Sequence, residues 1–137
     1  MSDQVSAMNA LIKTMLPGLL GVEVVSVGPD EIVGKMVVRP DMCTAGDILH
    51  GGAYMTFADT LGAIATVVNM PKEARTATIE SKTNFIGGAP VGSTVTGTTT
   101  PFHKGRATQV WQTKITGEDG KLLAVVSQTQ MVMMPRA

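Results

Sequence analysis

The residues best suited to chemistry begin at His50, continue through two glycines and reach Asp59, nine residues after the histidine. Asp59 is the one formally charged side chain between Asp47 and Lys72. If a helix begins here, its first amides lack partners within the helix and can bind a developing oxyanion, and glycine lets a substrate approach closely. Such a segment could polarise a carbonyl group and attack it.

Asp59 also has a simpler interpretation, in which its carboxylate lies on a solvated face or makes one structural hydrogen bond. Aspartate is unfavourable inside a helix and is rarely buried without a partner, so an isolated carboxylate in an apolar segment requires a reason. The residue pattern alone leaves both interpretations open.

The segment from Gly51 to about Met70, which Pro71 stops, is predicted to be helical. Apolar residues recur in it at spacings of three and four, as expected for the packed face of a helix. These residues are Ala53, Phe57, Leu61, Ile64 and Val68. Asp59 falls outside this series and groups with Thr56, Gly62, Ala63 and Thr66.

Composition limits the classes of function. The 137 residues carry 11 basic and 11 acidic side chains, and this balance gives no support for nucleic acid or a membrane surface as a partner. The single cysteine, Cys43, cannot form an internal disulfide, which fits a reducing compartment. We find no signal-peptide pattern and no apolar stretch long enough to span a membrane. We therefore expect one soluble, cytoplasmic domain.

The remaining elements are predicted from periodicity and turn residues. Residues 4–16 form an amphipathic helix ended by Pro17-Gly18, and its methionine-rich stripe is interpreted as core packing. Two β-branched runs, 22–27 and 31–39, flank Gly28-Pro29-Asp30 as a hairpin, and residues 40–49 form a loop. Further strands are predicted over 76–85, 91–101, 106–116 and 121–134, the last three joined by turns at 103–105 and 117–120.

This element order predicts an α+β domain in which an antiparallel sheet curls around the long helix. A small sheet with few charges leaves an edge or face that can pair with another copy. We therefore expect a homodimer or homotetramer.

The combination of His50-Gly51-Gly52 with Asp59 inside an apolar helix, followed by the strands, resembles the hotdog-fold acyl-CoA thioesterases. It is most similar to the PaaI-like branch, named for phenylacetic acid degradation, and to the 4-hydroxybenzoyl-CoA thioesterases. The resemblance covers residues 18–134 and implies one hotdog domain over 1–137, with an N-terminal helix in 1–17 and the core in 18–137. It also implies hydrolysis of an acyl-CoA at the interface of a dimer, without metal or cofactor, coenzyme A being part of the substrate.

The resemblance also implies roles for four residues. The Gly51 backbone N–H would polarise the thioester carbonyl, and Asp59 would act as nucleophile or as general base on water. His50 would support the start of the helix, and Thr78 would help to position the water.

The chain departs from its relatives in the loop before the helix. Relatives often carry an asparagine six residues before the histidine and a glycine three before it. Here Thr44 occupies the first position, while Gly46 lies four residues before His50, so the loop is one residue longer. Thr44, Asp47 and Cys43 are therefore alternative candidates for a side chain that assists Asp59.

The substrate-binding candidates form two groups. Lys82, His103, Lys104 and Arg106 are candidates for contacts with the phosphates of coenzyme A, the alternative for each being ordinary solvated surface. The candidates near the acyl group or the helix start are Thr44, Gly52, Tyr54, Met55, Phe57 and Phe85.

Two other functions remain open, a non-catalytic acyl-CoA-binding protein and an acyl-thioester hydratase. The sequence has no zinc-site spacing, no Gly-x-Ser-x-Gly elbow and no phosphate-binding glycine loop. No base can be named that would activate Cys43 as a nucleophile.

Helix geometry adds one expectation about assembly. Gly51 and Asp59 are eight residues apart, which is about 12 Å along a helix axis. One straight helix cannot bring both groups to one carbonyl carbon. Two antiparallel helices across a two-fold axis can, so each site should combine Gly51 of one chain with Asp59 of another.

Overall fold

The structure is a computed structural model that describes residues 2–136. It has three α-helices and a short 3₁₀-helix, Pro40–Met42, among eight strands. The helices are α1 (Asp3–Ile12), α2 (Leu16–Leu19) and α3 (Gly51–Asn69). The strands are β1 (Glu23–Val27), β2 (Ile32–Val37), β3 (Cys43–Thr44), β4 (Ile48–Leu49), β5 (Arg75–Phe85), β6 (Thr94–Lys104), β7 (Thr108–Thr116) and β8 (Leu122–Met133).

Six strands form one antiparallel sheet in the order β1-β2-β6-β7-β8-β5, and β3 pairs with β4 separately. The sheet packs against α3, so the predicted arrangement of one long helix against a curved antiparallel sheet is confirmed. None of the helices within residues 2–136 combines the length and the apolar character needed to cross a bilayer.

The apolar face of α3 is pressed onto the centre of the sheet. Phe57 and Leu61 are fully buried, and they lie over Gly34 of β2 and Gly97 of β6, which face each other across the two strands. A Cβ at Gly97 would lie 2.6 Å from Leu61 Cδ1, and one at Gly34 would lie 2.8 Å from Leu61 Cδ2. The two glycines thus let the helix approach the sheet more closely than any side chain would allow.

A buried hydrogen bond joins the far part of α3 to the sheet. Trp111 on β7 is fully buried, and its Nε1–H donates to Thr66 Oγ1 at 3.0 Å. The Thr66 hydroxyl in turn donates to the carbonyl oxygen of Gly62, one turn earlier in the helix. Because the indole N–H is satisfied, the large ring can be buried without the cost of an unpaired donor.

Strand β5 forms one edge of the sheet and pairs only with β8 among residues 2–136. Two of its large apolar side chains, Ile79 and Phe85, are each 54% exposed. An exposed apolar edge of this kind is the feature that the sequence predicted would pair with another copy.

The N-terminal helix differs from its prediction. It ends at Ile12 instead of residue 16, and Pro17 does not stop it but lies in the first turn of α2, where proline is tolerated. The chain turns sharply between the two helices, and a Cβ at Gly18 would lie 2.2 Å from the Lys13 carbonyl oxygen. Glycine therefore permits a close backbone contact here, which periodicity along one helix could not reveal.

Two further segments differ. The predicted loop 40–49 contains the 3₁₀-helix and the β3–β4 ladder, whose turn places Gly46 and Asp47 in the left-handed region, at φ +84° and +56°. Strand β6 also continues through the predicted turn residues His103 and Lys104, with an irregular register between Pro101 and His103. Proline has no N–H for the ladder, and a bulge lets the strand continue past it.

The close packing of α3 predicts that Gly97→Ala lowers the free energy of unfolding by about 1–3 kcal/mol, because the added methyl group overlaps the buried Leu61 side chain. Urea denaturation followed by circular dichroism measures the change. Gly28→Ala is the matched control, since a Cβ there has its nearest neighbour at an ordinary 3.5 Å. Equal stabilities of the two variants would contradict the packing argument.

Candidate active site

The start of α3 is capped by its own histidine. His50 is the N-cap residue, and its Nδ1 accepts a hydrogen bond from the Gly52 N–H at 2.8 Å. A neutral imidazole that accepts at Nδ1 carries its hydrogen on Nε2. Within residues 2–136 the Gly51 N–H has no hydrogen-bond partner. The cap therefore satisfies one first-turn amide and leaves its neighbour available to a ligand.

A cavity of about 360 Å³ lies beside this open amide. The aromatic ring of Phe85 covers Gly51 so closely that a Cβ on the glycine would lie 3.0 Å from Phe85 Cε1. Tyr54 and Thr44 also line the cavity. The structure thus brings together four of the predicted site residues, Gly51, Thr44, Tyr54 and Phe85, while the predicted Phe57 lies in the core.

Tyr54 is a buried and fixed wall of this cavity. It is 2% exposed, its hydroxyl donates to the Gly87 carbonyl oxygen at 3.1 Å, and its ring centroid is 6.3 Å from that of Phe85. Burial raises the pKa of the Tyr54 phenol, and a backbone hydrogen bond at Ala89 opposes part of this effect. The phenol is accordingly a neutral donor at physiological pH.

Asp59 lies two turns further along α3 and is held by a threonine of the edge strand. The hydroxyl of Thr78 lies 2.6 Å from Asp59 Oδ1 and donates to it. The same hydroxyl accepts a hydrogen bond from Gln130 Nε2, also at 2.6 Å. Because the Gln130 amide nitrogen donates and cannot accept, the single hydroxyl hydrogen of Thr78 is directed to the carboxylate. The structure therefore brings together two of the predicted site residues, Asp59 and Thr78.

Two glutamines of β8 continue this chain of hydrogen bonds into the core. Gln130 Nε2 also donates to Gln128 Oε1 at 2.6 Å, and Gln128 Nε2 donates to the Ala58 carbonyl oxygen at 2.8 Å. Both side chains are buried, with at most 1% exposure. Gly62 makes room for them, since a Cβ there would lie 2.1 Å from Gln128 Nε2. The network fixes Asp59 to the sheet through groups that cannot easily rotate.

Sequence reasoning missed Gln128 and Gln130. A signal was present, because the two amides lie between Val126 and Val132 on the inward face of β8, which is otherwise apolar. Buried polar side chains at such positions need partners, and the isolated carboxylate of Asp59 was another polar group in the chain without an assigned partner.

The predicted phosphate contacts fall in two separate places within one chain. His103 and Lys104 are the last two residues of β6, and Arg106 follows them in the β6–β7 connection. The Lys104 ammonium group forms an ion pair with Asp30 at 2.5 Å. Lys82 lies on β5, three strands away in the sheet, and its Nζ donates to Asn84 Oδ1 at 2.9 Å.

The alternatives for the helper of Asp59 lie in the loop before α3. Partial burial raises the pKa of the Cys43 thiol, and the negative charges of Asp47 and then Asp41 raise it further. The Cys43 Sγ donates to the Arg39 carbonyl oxygen at 3.3 Å. Burial and the neighbouring negative charges both disfavour the thiolate, so the Cys43 thiol is poorly suited to be a nucleophile. Among residues 2–136 no group of three or more His, Cys, Asp or Glu residues is arranged to hold a metal ion.

A long helix wrapped by a curved antiparallel sheet, with an open amide at its start and a held carboxylate two turns later, defines a hotdog-fold enzyme. Residues 46–124 match the family model described as the thioesterase superfamily, and the chain belongs to that superfamily. Its reaction class is thioester hydrolysis.

Individual relatives agree with this assignment. The 1,4-dihydroxy-2-naphthoyl-CoA hydrolase of Escherichia coli (strain K12) is 30% identical over 116 residues, covering 85% of each chain. The crystal structure of thioesterase HI1161 from Haemophilus influenzae superposes with a TM-score of 0.91 at 28% identity, covering 98% of this chain and 93% of that one. The PaaI protein of the E. coli phenylacetic acid degradation operon has the same fold, with a TM-score of 0.82 at 23% identity over 95% and 94% of the two chains.

Tyr54 supports a prediction about alkaline pH, because it is the only tyrosine of the chain. Its pKa is raised from the ordinary value of 10.0 in the folded state. The stability contributed by the neutral phenol is therefore complete below pH 10 and is lost as the pH rises through the folded pKa. Spectrophotometric titration of tyrosinate should give a higher midpoint for the native protein than for the protein in urea. Coincident midpoints would show that Tyr54 is not buried as described.

Proposed function

We propose that the protein hydrolyses a small acyl-, aryl- or arylacetyl-CoA thioester to the free acid and coenzyme A. Asp59 acts as nucleophile or general base, and the Gly51 N–H polarises the carbonyl. The observation that carries the proposal is the Asp59 carboxylate, held through Oδ1 by Thr78 at 2.6 Å in an otherwise apolar helix. The name of the E. coli hydrolase supports a CoA thioester as the substrate class. The lone cysteine fits our expectation of a cytoplasmic enzyme.

The chemistry needs few groups, because a thioester carbonyl is reactive enough for a carboxylate and one oxyanion donor. As a nucleophile, Asp59 attacks the carbonyl carbon, the C–S bond breaks, the thiolate of coenzyme A leaves, and water then hydrolyses the mixed anhydride. As a general base, Asp59 takes a proton from water while the water oxygen attacks the same carbon; the C–S bond then breaks, and the leaving thiolate of coenzyme A takes up the proton. In both routes Thr78 keeps the carboxylate oriented, and the developing oxyanion accepts the hydrogen bond from Gly51.

The remaining contacts follow from this assignment. His50 holds the start of α3 by capping Gly52 and thereby leaves Gly51 free for the oxyanion. Thr44, Tyr54 and Phe85 line the cavity beside that amide. Lys82, His103, Lys104 and Arg106 stay as candidates for the coenzyme A phosphates, contributed from different parts of the assembled surface.

We further propose that the site is shared between two chains. Gly51 and Asp59 are separated by eight residues of one helix, or about 12 Å along its axis, which is too far for both to act on one carbonyl. In an antiparallel pair of α3 helices, Gly51 of each chain lies near Asp59 of the other. The exposed edge of β5 supports a homodimer of this kind, and two dimers can associate further into a homotetramer.

Asp59→Asn tests the carboxylate. We expect the variant to fold and assemble normally but to lose about 10²–10⁴-fold in kcat, because the amide can neither attack nor take a proton. Release of free thiol from a panel of acyl-CoA substrates measures turnover, and thermal melts check the fold. Asp119→Asn is the matched control, since its Oδ1 can still accept the hydrogen bond from the Lys121 N–H in a distant turn. Near-normal turnover by folded Asp59→Asn would remove Asp59 from the mechanism.

Mixed dimers test the shared site. Gly51→Pro deletes the N–H at a first-turn position that tolerates proline, and the half-exposed ring of Phe85 can turn away from it. Alone, Gly51→Pro and Asp59→Asn should each be nearly inactive. When they are unfolded together and reassembled, each mixed dimer should hold one intact site, so activity should return toward about a quarter of wild type for random pairing.

Sedimentation and native mass spectrometry provide the controls for this experiment. They should show a dimer or tetramer, mixed dimers in the reassembled sample and a folded Gly51→Pro chain. No recovery of activity in the presence of these mixed dimers would refute the shared site, as would a stable and active wild-type monomer.

A further inference from the structure

A groove of about 250 Å³ opens beside Asp59, between the N-terminal helices and α3. Apart from Asp59 and Thr60, its walls consist of apolar side chains. These wall residues are Met8, Leu11, Ile12, Met15, Pro17, Ala63, Ile64 and Val67. The carboxylate that we assign to the reaction therefore lies at the wall of an almost entirely apolar depression.

The groove offers a ligand very little hydrogen bonding. The hydroxyl of Thr60 donates to the Thr56 carbonyl oxygen at 2.7 Å, so its hydrogen is already used within the helix. Methionine sulfur is only a weak acceptor. Among the described residues that line it, the groove thus presents no free side-chain donor and one strong acceptor, Asp59 itself.

Helix α1 is fixed firmly enough to act as a wall. Val5 and Ile12 are buried, and the Asn9 side chain forms two hydrogen bonds with the backbone of Val24 on β1, at 2.8 and 2.9 Å. Leu11, in contrast, remains 54% exposed at the groove.

The interpretation of the methionine-rich stripe as core packing is therefore only partly correct. Met8 packs against the core, but Met15 is 50% exposed and lines the groove. The outward side of the stripe forms a flexible apolar surface that can adapt to different shapes.

We propose that this groove holds the acyl group of the substrate and selects apolar acyl groups without hydroxyl or charged substituents. The inference rests on the proposed role of Asp59. The volume of the groove lies below the roughly 300–1,000 Å³ of sites that enclose whole drug-sized ligands. The groove therefore suits the acyl group, while coenzyme A lies outside it. A medium-length aliphatic chain or an unsubstituted aryl group lying in the groove contacts the methionine, leucine and isoleucine side chains of its walls.

A hydroxyl on the acyl group is disfavoured in this groove, because it loses water and finds no free donor and only the reacting carboxylate as acceptor. The expected preference for acyl groups without hydroxyls differs from the substrate in the name of the E. coli relative, whose acyl group carries two hydroxyls. The acyl group is also a better occupant than an apolar segment of a second chain, because the carbonyl carbon beside it must reach Asp59 in the proposed reaction, and Asp59 lies at the wall of this groove.

The test compares kcat/KM for acetyl-, hexanoyl-, octanoyl-, phenylacetyl- and 4-hydroxyphenylacetyl-CoA. For the wild type we expect 4-hydroxyphenylacetyl-CoA to be roughly 10–100-fold poorer than phenylacetyl-CoA. Leu11→Trp should fill the groove and reduce kcat/KM for octanoyl- and phenylacetyl-CoA by about tenfold or more, with acetyl-CoA changed by less than about twofold. Leu19→Trp is the matched control, because Leu19 is 70% exposed and lies outside the groove, and it should keep the wild-type profile.

Several results would overturn the inference. One is a Leu11→Trp enzyme that is folded, active on acetyl-CoA and unchanged in its preference. Another is equal kcat/KM of the wild type for phenylacetyl-CoA and 4-hydroxyphenylacetyl-CoA. A third is a Leu11→Trp enzyme with an unchanged substrate preference but an altered sedimentation coefficient, which would assign the groove to a second chain. If Leu11→Trp fails to fold, Met15→Ala takes its place and should shift the preference toward bulkier apolar acyl groups.

Calorimetric binding to Asp59→Ala, which removes the carboxylate without placing a new donor in the groove, separates this inference from the proposed function. If the wild type hydrolyses none of the thioesters, the proposed function fails. The groove inference still predicts tighter binding of phenylacetyl-CoA than of 4-hydroxyphenylacetyl-CoA by roughly tenfold, and equal affinities would overturn it.

Discussion

The structure depends on the close contact between α3 and the centre of the sheet. Phe57 and Leu61 can be fully buried only because the residues opposite them on two adjacent strands, Gly34 and Gly97, have no side chains. Burial of two such side chains is worth several kcal/mol, and it fixes both the height and the rotation of the helix. Every group of the candidate site that belongs to α3 takes its position from this contact.

With the helix fixed, its polar groups face environments that differ strongly. The first turn opens to a cavity where the Gly51 amide is free, while Asp59 is tied to the sheet by Thr78 and the buried glutamine pair. A buried polar network is favourable only when its members are satisfied, and here each glutamine amide has defined partners. The cost of burying two glutamines is thus offset while a carboxylate is held in one orientation.

Gly51 and Asp59 are too far apart on one helix to act on one carbonyl, so the proposed reaction requires that two chains assemble. Apolar groups are exposed in the single chain at the β5 edge and in the N-terminal segment around Leu11 and Met15. The first set suits pairing with another copy through an open strand edge, and the second lines the apolar groove beside Asp59. Under the proposed function, a small fold with one long helix provides the carboxylate, the oxyanion donor and the acyl pocket without a separate substrate-binding domain.

The sequence alone determined the features that depend on local spacing. The helix α3 followed from its apolar period, its glycine start and Pro71, and the alternating strands were also predicted. The family resemblance made Asp59 and Thr78 separate site candidates, and their hydrogen bond was seen only in the structure. Helical and strand periods repeat over a few residues, so they are readable without tertiary structure.

Only the tertiary structure decided which distant residues meet. The sheet order β1-β2-β6-β7-β8-β5, the end of α1 at Ile12, the glutamine pair behind Thr78 and the groove formed by α1 all depend on contacts between residues far apart in the chain. Gln130 lies 52 positions from the threonine that it holds, and no local pattern encodes such a pairing. These contacts arise because the sheet must cover one face of α3 completely, which is a constraint on the folded chain as a whole.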